Sequence, residues 1–200
     1  MMKKMVLLVG IVSFYSVSLA GISYINSSDY QYDVQLYNSD KLIVNGGGAD
    51  RISAKDYSCI EVWSTSTPIS HSSGIRDIIL YDHCSLGYWG GASNVLTISN
   101  YATAILKGGQ INYIQSLQKV INNDPYINLY CQVGWSWIYN TSNEIKGITG
   151  QWKDGTAFSI QFLDKTSSGY DPVWKNINVI PEPASLLIVG LGGLLARRKK

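Results

Sequence analysis

Residues 38–47 read NSDKLIVNGG, and this stretch decides the fold because three later segments repeat its pattern. They are DYSCIEVWST at 56–65, DHCSLGYWGG at 82–91 and NYATAILKGG at 100–109. Each segment begins with Asn or Asp and has an apolar residue six positions later, and three of the four end in Gly-Gly. Their first residues are separated by 18, 26 and 18 positions. A recurring period of this kind indicates structural units that stack on one another.

A second apolar position accompanies the repeat. It lies 14 residues after the first residue of three segments, at Ile52, Leu96 and Ile114. In the remaining segment the corresponding residue is Ile78, which is displaced by eight further positions. This displacement equals an insertion, and we place it at residues 65–72 (TSTPISHS). One unit is therefore predicted to carry a loop.

Each unit offers two short strands separated by a corner that is usually rich in glycine. Apolar residues alternate in the first strand, as expected for a strand with one buried face. Strands this short become stable when successive units pair their backbones. The sequence therefore predicts an all-β fold with a short parallel β-helix, or β-solenoid, of about four 18-residue rungs at residues 21–120. The alternating pairs are Leu42/Val44, Ile60/Val62, Leu86/Tyr88 and Ala104/Leu106.

The first position of the repeat is occupied by Asn38, Asp56, Asp82 and Asn100. These side chains can close turns by bonding to their own backbone. A column of carboxylates could instead bind Ca²⁺ along a β-helix face. Two of the four residues carry no charge and no GGxGxD run accompanies them, so turn closure is favoured.

The repeat fades after about residue 111. Residues 114–122 have apolar spacings that suit a short helix or an irregular crossover. Apolar side chains then alternate over residues 127–139, which predicts one strand, and further strands are expected near 145–152 and at 158–162. The Asp-Gly pair at 154–155 predicts the hairpin turn between the last two. We expect residues 121–178 to form an antiparallel β-meander that caps the open end of the solenoid.

Catalytic motifs are scarce. The sequence has two histidines, His71 and His83, and lacks HExxH, GxSxG, phosphate-loop and paired CxxC patterns. Asp82, His83 and Cys84 are adjacent, but neighbours on a strand point to opposite faces, whereas a catalytic triad usually converges from separate segments. We predict a protein that is not an enzyme, with no catalytic residue, metal site or cofactor.

The cysteines and tryptophans each allow two interpretations. Cys59, Cys84 and Cys131 are an odd number for disulfide pairing, and packing as small apolar residues is expected for all three. Exposed rings could stack on sugars, whereas rings at alternating positions commonly pack in a core or cover a sheet. Packing is favoured for these rings, which are Trp63, Trp89, Trp135 and Trp137.

Residues 1–20 have the layout of a secretory signal peptide, and a hydrophobic helix is expected here and in the apolar run near the other terminus, at residues 184–196. Lys3 and Lys4 precede an apolar stretch, and small residues occupy positions 18 and 20. Cleavage between Ala20 and Gly21 is predicted. The segment that follows is therefore expected to lie outside the inner membrane.

Residues 179–200 read VIPEPASLLIVGLGGLLARRKK and have three parts. An apolar run at 184–196 would extend about 20 Å as a helix, whereas a bilayer core is about 30 Å thick. The run is therefore marginal as a permanent anchor. It is preceded by Pro181, Glu182 and Pro183, and it is followed by a basic cluster of Arg197, Arg198, Lys199 and Lys200 that would stop at the cytoplasmic side.

This succession of parts resembles the PEP-CTERM sorting signal of Gram-negative bacteria. The resemblance implies recognition, and processing of the tail, by an exosortase-type membrane enzyme. A single permanent C-terminal anchor is the alternative. A similar solenoid pattern, and a block like residues 147–162, also occur in some PEP-CTERM proteins, which implies that the block leads from the fold into the signal.

Charge argues against a nucleic-acid partner. The chain has a pI of about 8.3, but six of its 16 Lys and Arg residues lie in the two terminal segments. Residues 21–180 carry 10 basic against 13 acidic residues, a net charge of −3. The basic pI therefore reflects targeting segments, and no nucleic acid is expected as a partner.

Two classes of function follow. The first is a non-enzymatic protein sorted to the cell surface or extracellular matrix, with an exosortase-type enzyme and, transiently, the inner membrane as partners. The second is a β-helix protein that binds or degrades polysaccharide, which makes exopolysaccharide a partner. Few rungs and scattered acidic residues favour the first class.

Overall fold

The structure, a computed structural model, describes residues 21–67, 69, 73–117, 126–164 and 170–182. These residues form strands and one short 3₁₀ helix at Val173–Asn176, so the prediction of an all-β fold is confirmed. The predicted helices in residues 1–20 and 184–196 lie outside the described residues, among which no helix is long and apolar enough to cross a membrane. The strands are β1 (Ile22–Asn26), β2 (Tyr30–Leu36), β3 (Lys41–Asn45), β4 (Gly48–Ala54), β5 (Cys59–Ser64), β6 (Ile75–Leu80), β7 (Ser85–Tyr88), β8 (Ala92–Ser99), β9 (Thr103–Leu106), β10 (Gln110–Leu117), β11 (Ile127–Cys131), β12 (Ser136–Tyr139), β13 (Ile145–Gln151), β14 (Ala157–Phe162) and β15 (Ile177–Pro181).

The strands form two sheets, and the chain alternates between them from β1 to β10. Sheet A has the order β1-β3-β5-β7-β9-β11-β15, and every neighbouring pair in it is parallel. Sheet B has the order β12-β13-β14-β10-β8-β6-β4-β2. Its pairs are parallel from β2 to β14 and antiparallel among β12, β13 and β14. The parallel pairing follows from the sequence repeat, because each strand meets its counterpart one repeat later.

The registers reproduce the repeat. Lys41 of β3 is paired with Cys59 of β5, 18 positions on. Cys59 is in turn paired with Ser85 of β7, which is 26 positions on. Since β4 and β6 are also offset by 26 residues, through Ala49 and Ile75, the insertion lies between β5 and β6, where the sequence placed it.

The core lies between the two sheets. All eight residues of the predicted alternating pairs are buried in sheet A. Sheet B contributes the second apolar column to the same core. Its residues are each 0% exposed and paired in register: Ile52, Ile78, Leu96 and Ile114. Burial of a full aliphatic side chain contributes about 1.5–3 kcal/mol, so these columns supply much of the force that holds the sheets together.

Three elements differ from the sequence prediction. Residues 114–117 continue β10 because they pair with β8, so they form a strand and not the start of a helix. Two additional strands, β1 and β2, precede the first recognised repeat. β1 is paired with β3, and β2 is paired with β4. Residues 127–139 form two strands, because a turn at 133–134 sends β11 into sheet A and β12 into sheet B. The antiparallel meander expected over residues 121–178 is therefore limited to β12, β13 and β14, whereas β11 and β15 are parallel strands of sheet A.

Trp152 joins the antiparallel part to the parallel part. Its indole is fully buried, packs on Phe158 with ring centroids 4.3 Å apart, and donates an N–H hydrogen bond of 2.7 Å to the Gly109 carbonyl. The antiparallel strands β12, β13 and β14 are therefore fixed to the corner after β9.

Candidate functional site

The final described strand carries the beginning of the predicted sorting motif. Pro181 ends β15 and is paired with Cys131 of β11. The Glu182 N–H donates to the Cys131 carbonyl at 2.7 Å, and the Glu182 carboxylate lies 3.0 Å from the Lys153 ammonium. Two of the three motif residues are therefore built into the fold. The third, Pro183, lies outside the described residues, as does the basic cluster Arg197, Arg198, Lys199 and Lys200.

The predicted mature N-terminus also lies against the fold. Gly21 donates through its nitrogen to Asp40 Oδ1 at 3.0 Å and accepts from the Lys41 N–H at 2.8 Å. Ala20, the other residue of the predicted cleavage site, lies outside the described residues.

The repeated Asn and Asp residues form corners with left-handed backbone. Asn38, Asp56, Asp82 and Asn100 have φ angles of 57°, 61°, 56° and 58°. Asp56 Oδ2 accepts the Asn38 N–H at 2.9 Å, and Asp82 Oδ1 accepts the Asn100 side-chain amide at 2.9 Å. The side chains thus link successive turns by hydrogen bonds. This structural role accounts for the repeated Asn and Asp residues and requires no bound cation. No group of three or more potential metal ligands occurs within the described part of the chain.

His83 and Cys84 face different surroundings. The exposed His83 ring is stacked between Tyr57 and Tyr101, with centroids 5.1 Å from each. The Cys84 thiol is buried and lies 3.3 Å from the Ser58 hydroxyl. Burial raises the pKa of Cys84, so this thiol is a poor nucleophile. The other histidine, His71, lies outside the described residues.

The cysteines are all free thiols in the structure. Cys84 and Cys131 are buried, and Cys59 is half-buried. Burial raises the pKa of Cys131 as it does that of Cys84. The two buried thiols therefore pack as small apolar groups, as expected from the sequence.

Trp135 and Trp137 pack against the core as expected, whereas Trp63 is 52% exposed. Trp63 stacks on Trp89 at 5.4 Å, and the Lys107 ammonium lies 5.2 Å from the Trp89 centroid and 4.5 Å from that of Tyr130. We call these four residues the sheet A ladder. Trp135 and Trp137 meet edge to face at 5.1 Å and pack against the core.

A cleft that the sequence did not reveal lies beside the antiparallel strands. Its volume is about 370 Å³. Apolar and aromatic groups come from Tyr139, Ile145, Pro172 and Trp174, and polar groups come from Asn143, Glu144, Lys146 and Asp164. These residues belong to separate segments: the end of β12 with the following turn and the start of β13, the residues just after β14, and the 3₁₀ helix with the proline before it. In the sequence, only the polar turn that follows Tyr139 could have suggested a binding site here.

The polar groups of the cleft are held in place. The Lys146 ammonium lies 3.0 Å from Asp164 Oδ2 and 3.6 Å from Glu144 Oε2. Asp164 Oδ1 accepts the Val173 N–H at 2.9 Å, and Glu144 Oε2 accepts the Asn140 side-chain amide at 2.8 Å. The hydrogen bond to Asp164 raises the pKa of Lys146, which therefore stays protonated.

Comparison with known proteins gives one match. No curated protein and no solved structure matches the chain. Residues 179–200 match the family model of the PEP-CTERM protein-sorting motif. The match begins within β15 and includes the Pro-Glu-Pro triplet, the apolar run and the basic cluster. The chain therefore carries a PEP-CTERM protein-sorting motif at residues 179–200.

Proposed function

We propose that this is an exported, non-enzymatic protein that is sorted through the PEP-CTERM pathway to the cell surface or extracellular matrix. The observation that carries the proposal is the match to the sorting motif at residues 179–200. An exosortase-type enzyme is its processing partner, and the inner membrane holds the tail transiently. The predicted signal peptide at residues 1–20 supports export.

The folded body is a short parallel β-solenoid capped by an antiparallel meander, and it acts as a structural or adhesive unit. The parallel registers of 18 and 26 residues and the alternation between two sheets support the solenoid. The antiparallel pairs β12–β13 and β13–β14 support the cap. Stacked repeats of this kind form extended outer faces from a short repeated sequence. An extended face suits a protein that contacts other molecules at the cell surface.

The positions of the candidate catalytic groups favour a non-enzymatic role over the polysaccharide-degrading one. His83 is stacked between tyrosines, whereas Cys84 is buried against Ser58. The oxygens of Asp56 and Asp82 accept hydrogen bonds from neighbouring corners. These contacts support a structural role for the four groups over a catalytic one.

Mass spectrometry of the mature protein from a host with an exosortase tests the proposal. We expect the new C-terminus near residues 181–183, and we expect replacement of Pro181, Glu182 and Pro183 by alanine to prevent processing. A mature chain that keeps Arg197, Arg198, Lys199 and Lys200 would instead indicate a permanent anchor. Hydrolysis of a polysaccharide by the purified protein would contradict the non-enzymatic assignment.

A further inference from the structure

The cleft beside β13 has the chemistry of a ligand site. Its volume of about 370 Å³ falls at the small end of ligand pockets, which measure about 300–1,000 Å³. Aromatic and aliphatic side chains line it together with hydrogen-bonding groups of both kinds, an ammonium and an amide that donate and carboxylates that accept. A ligand with an apolar face and a rim of hydroxyl groups matches both sets.

The charges in the cleft restrict the class of ligand. Glu144 and Asp164 supply two carboxylates against the single ammonium of Lys146. The local charge is therefore −1, which disfavours an anionic ligand. The charge of Lys146 is balanced by its ion pairs with both carboxylates, so it does not favour a phosphate or a uronate, while its remaining N–H groups can still donate to neutral hydroxyl groups.

The polar groups are positioned before any ligand arrives. Asp164 is fixed by the Val173 N–H and by Lys146, and Glu144 is fixed by Asn140. Such fixed groups lower the entropic cost of binding. Tyr139 is 53% exposed, so its ring is available at the rim of the cleft.

We propose that this cleft binds one neutral hexopyranose unit, with Tyr139 and Trp174 contacting the sugar face and Glu144, Lys146 and Asp164 bonding its hydroxyl groups. The unit is either a free sugar or part of a neutral polysaccharide, which share this chemistry. The inference does not depend on the sorting pathway. It gives the protein a specific contact with carbohydrate.

Isothermal titration calorimetry on the full chain in a sugar-free detergent tests the site. The probes are glucose, galactose, mannose, glucuronate and dextran. We expect saturable binding of at least one neutral hexose or of dextran, and glucuronate should bind more weakly than glucose. Tighter binding of dextran per glucose unit would identify the polymer as the source, and equal binding would identify the free sugar. No saturable binding of any neutral probe would overturn the proposal.

Two variants connect the binding to this cleft. Tyr139→Ala should weaken binding about tenfold, the equivalent of one lost aromatic contact. Tyr32→Ala is the matched control, because Tyr32 is 81% exposed on β2 and lies outside the cleft. Glu144→Gln removes one negative charge and should raise the ratio of glucuronate to glucose affinity several-fold. Equal effects of the two tyrosine variants would contradict the assignment.

A second observation concerns the sorting motif and stands apart from the cleft. Glu182 is held by its N–H on the Cys131 carbonyl and by its carboxylate on Lys153. Its side chain is only 21% exposed, and no spacer separates it from the apolar run. A membrane enzyme that reads the triplet must therefore detach these residues from sheet A.

We infer that docking of Glu182 on β11 and Lys153 regulates access to the sorting motif. Pro181 and Glu182 exchange between the docked state seen in the structure and a released state, and only the released state fits an enzyme's binding site. This inference rests on the proposed sorting function. It predicts that weakening the docked state speeds processing.

Lys153→Ala tests the docking with two independent measurements. An exposed ion pair stabilises weakly, so the Glu182 amide should exchange its hydrogen about two- to fivefold faster, and processing in the host should accelerate by a similar factor. Lys175→Ala, which removes an exposed lysine paired with Asp171, should change neither rate.

The triple alanine variant of Pro181, Glu182 and Pro183 separates the possible failures. Continued processing of that variant would contradict the sorting function itself. If the triple variant is not processed, but Lys153→Ala speeds exchange without speeding processing, the regulatory inference alone is wrong. Unchanged exchange in Lys153→Ala would show that the lysine does not hold the motif.

Discussion

Gly109 and Gly155 have similar positive φ angles, +78° and +88°, in different surroundings. A Cβ atom at Gly109 would lie 2.6 Å from the Gly91 carbonyl oxygen, whereas a Cβ at Gly155 would meet nothing within 4 Å. Gly155→Ala should therefore lose only the cost of left-handed alanine, about 1–2 kcal/mol of the free energy of unfolding. Gly109→Ala should lose about 2–5 kcal/mol, because overpacking adds to that cost.

Urea denaturation of both glycine variants measures this difference. Equal losses would mean that the corner after β9 relaxes away from the added methyl group. The comparison separates backbone conformation, which the two positions share, from the close approach of neighbouring turns, which only Gly109 has.

The three cysteines should differ in reactivity. Cys59 is half-buried, whereas burial raises the pKa of Cys84 and Cys131 and lowers their thiolate fraction. We expect Ellman's reagent to modify one thiol rapidly in the native protein and three after denaturation. Cys59→Ala should abolish the rapid phase. Rapid modification of two thiols in the native state would show that a buried position opens readily.

At the scale of elements, the sheet A ladder combines stacked aromatic rings with the ammonium group of Lys107, which lies over two aromatic rings. Lys107→Met keeps most of the aliphatic stem but removes the charge that lies 5.2 Å from Trp89 and 4.5 Å from Tyr130. We expect a loss of about 1 kcal/mol in the free energy of unfolding. Lys55→Met is the matched variant, since Lys55 lies farther from its two rings, Tyr37 and Tyr81, at 5.6 and 5.9 Å.

The loss for Lys55→Met should be smaller than that for Lys107→Met in the same urea titration. High salt should reduce neither loss strongly if the interaction with the ring faces dominates. A greater loss for Lys55→Met would indicate that distance to the ring does not determine the contribution.

The sequence predicted the strands whose pattern is repeated and failed where the pattern occurs once. The columns from Leu42 to Leu106 were found because four copies share their spacing. The strand β1 was missed because its corner has one residue more, so that Ile22 is paired with Lys41, 19 positions on. The alternation of apolar residues over 127–139 could not show that the turn near Gly134 divides this segment into two strands. The apolar residues stay at every second position on both sides of the turn. The cleft could not be predicted either, since tertiary packing brings Tyr139, Asp164 and Trp174 together.

At the scale of the whole molecule, both ends of the described chain lie on sheet A. Gly21 binds Asp40 and Lys41 beside β3, and Glu182 binds Cys131 of β11. These contacts lie at opposite edges of the sheet, because β1 and β15 are its first and last strands. The two ends of the described chain are therefore separated by the full set of sheet A strands.

The connection between the antiparallel strands β12–β14 and the parallel strands determines whether the molecule unfolds as one unit. Trp152 provides that connection through its bond to Gly109 and its contact with Phe158. Trp152→Phe keeps an aromatic ring but leaves the Gly109 carbonyl without its donor, so we expect a loss of about 1–3 kcal/mol in a single transition. Trp152→Ala also leaves a cavity and should lose about 3–5 kcal/mol.

The destabilisation caused by Trp152→Ala should be larger in some strands than in others. Hydrogen exchange should accelerate more in β13 and β14 than in β6 and β8 of Trp152→Ala, because the parallel strands keep their neighbours when the antiparallel strands loosen. In Trp152→Phe the same strands should accelerate together. Uniform acceleration in both variants would mean that the pairing of β14 with β10, through Tyr113–Gln161 and Ile114–Phe162, couples the antiparallel and parallel strands without the indole.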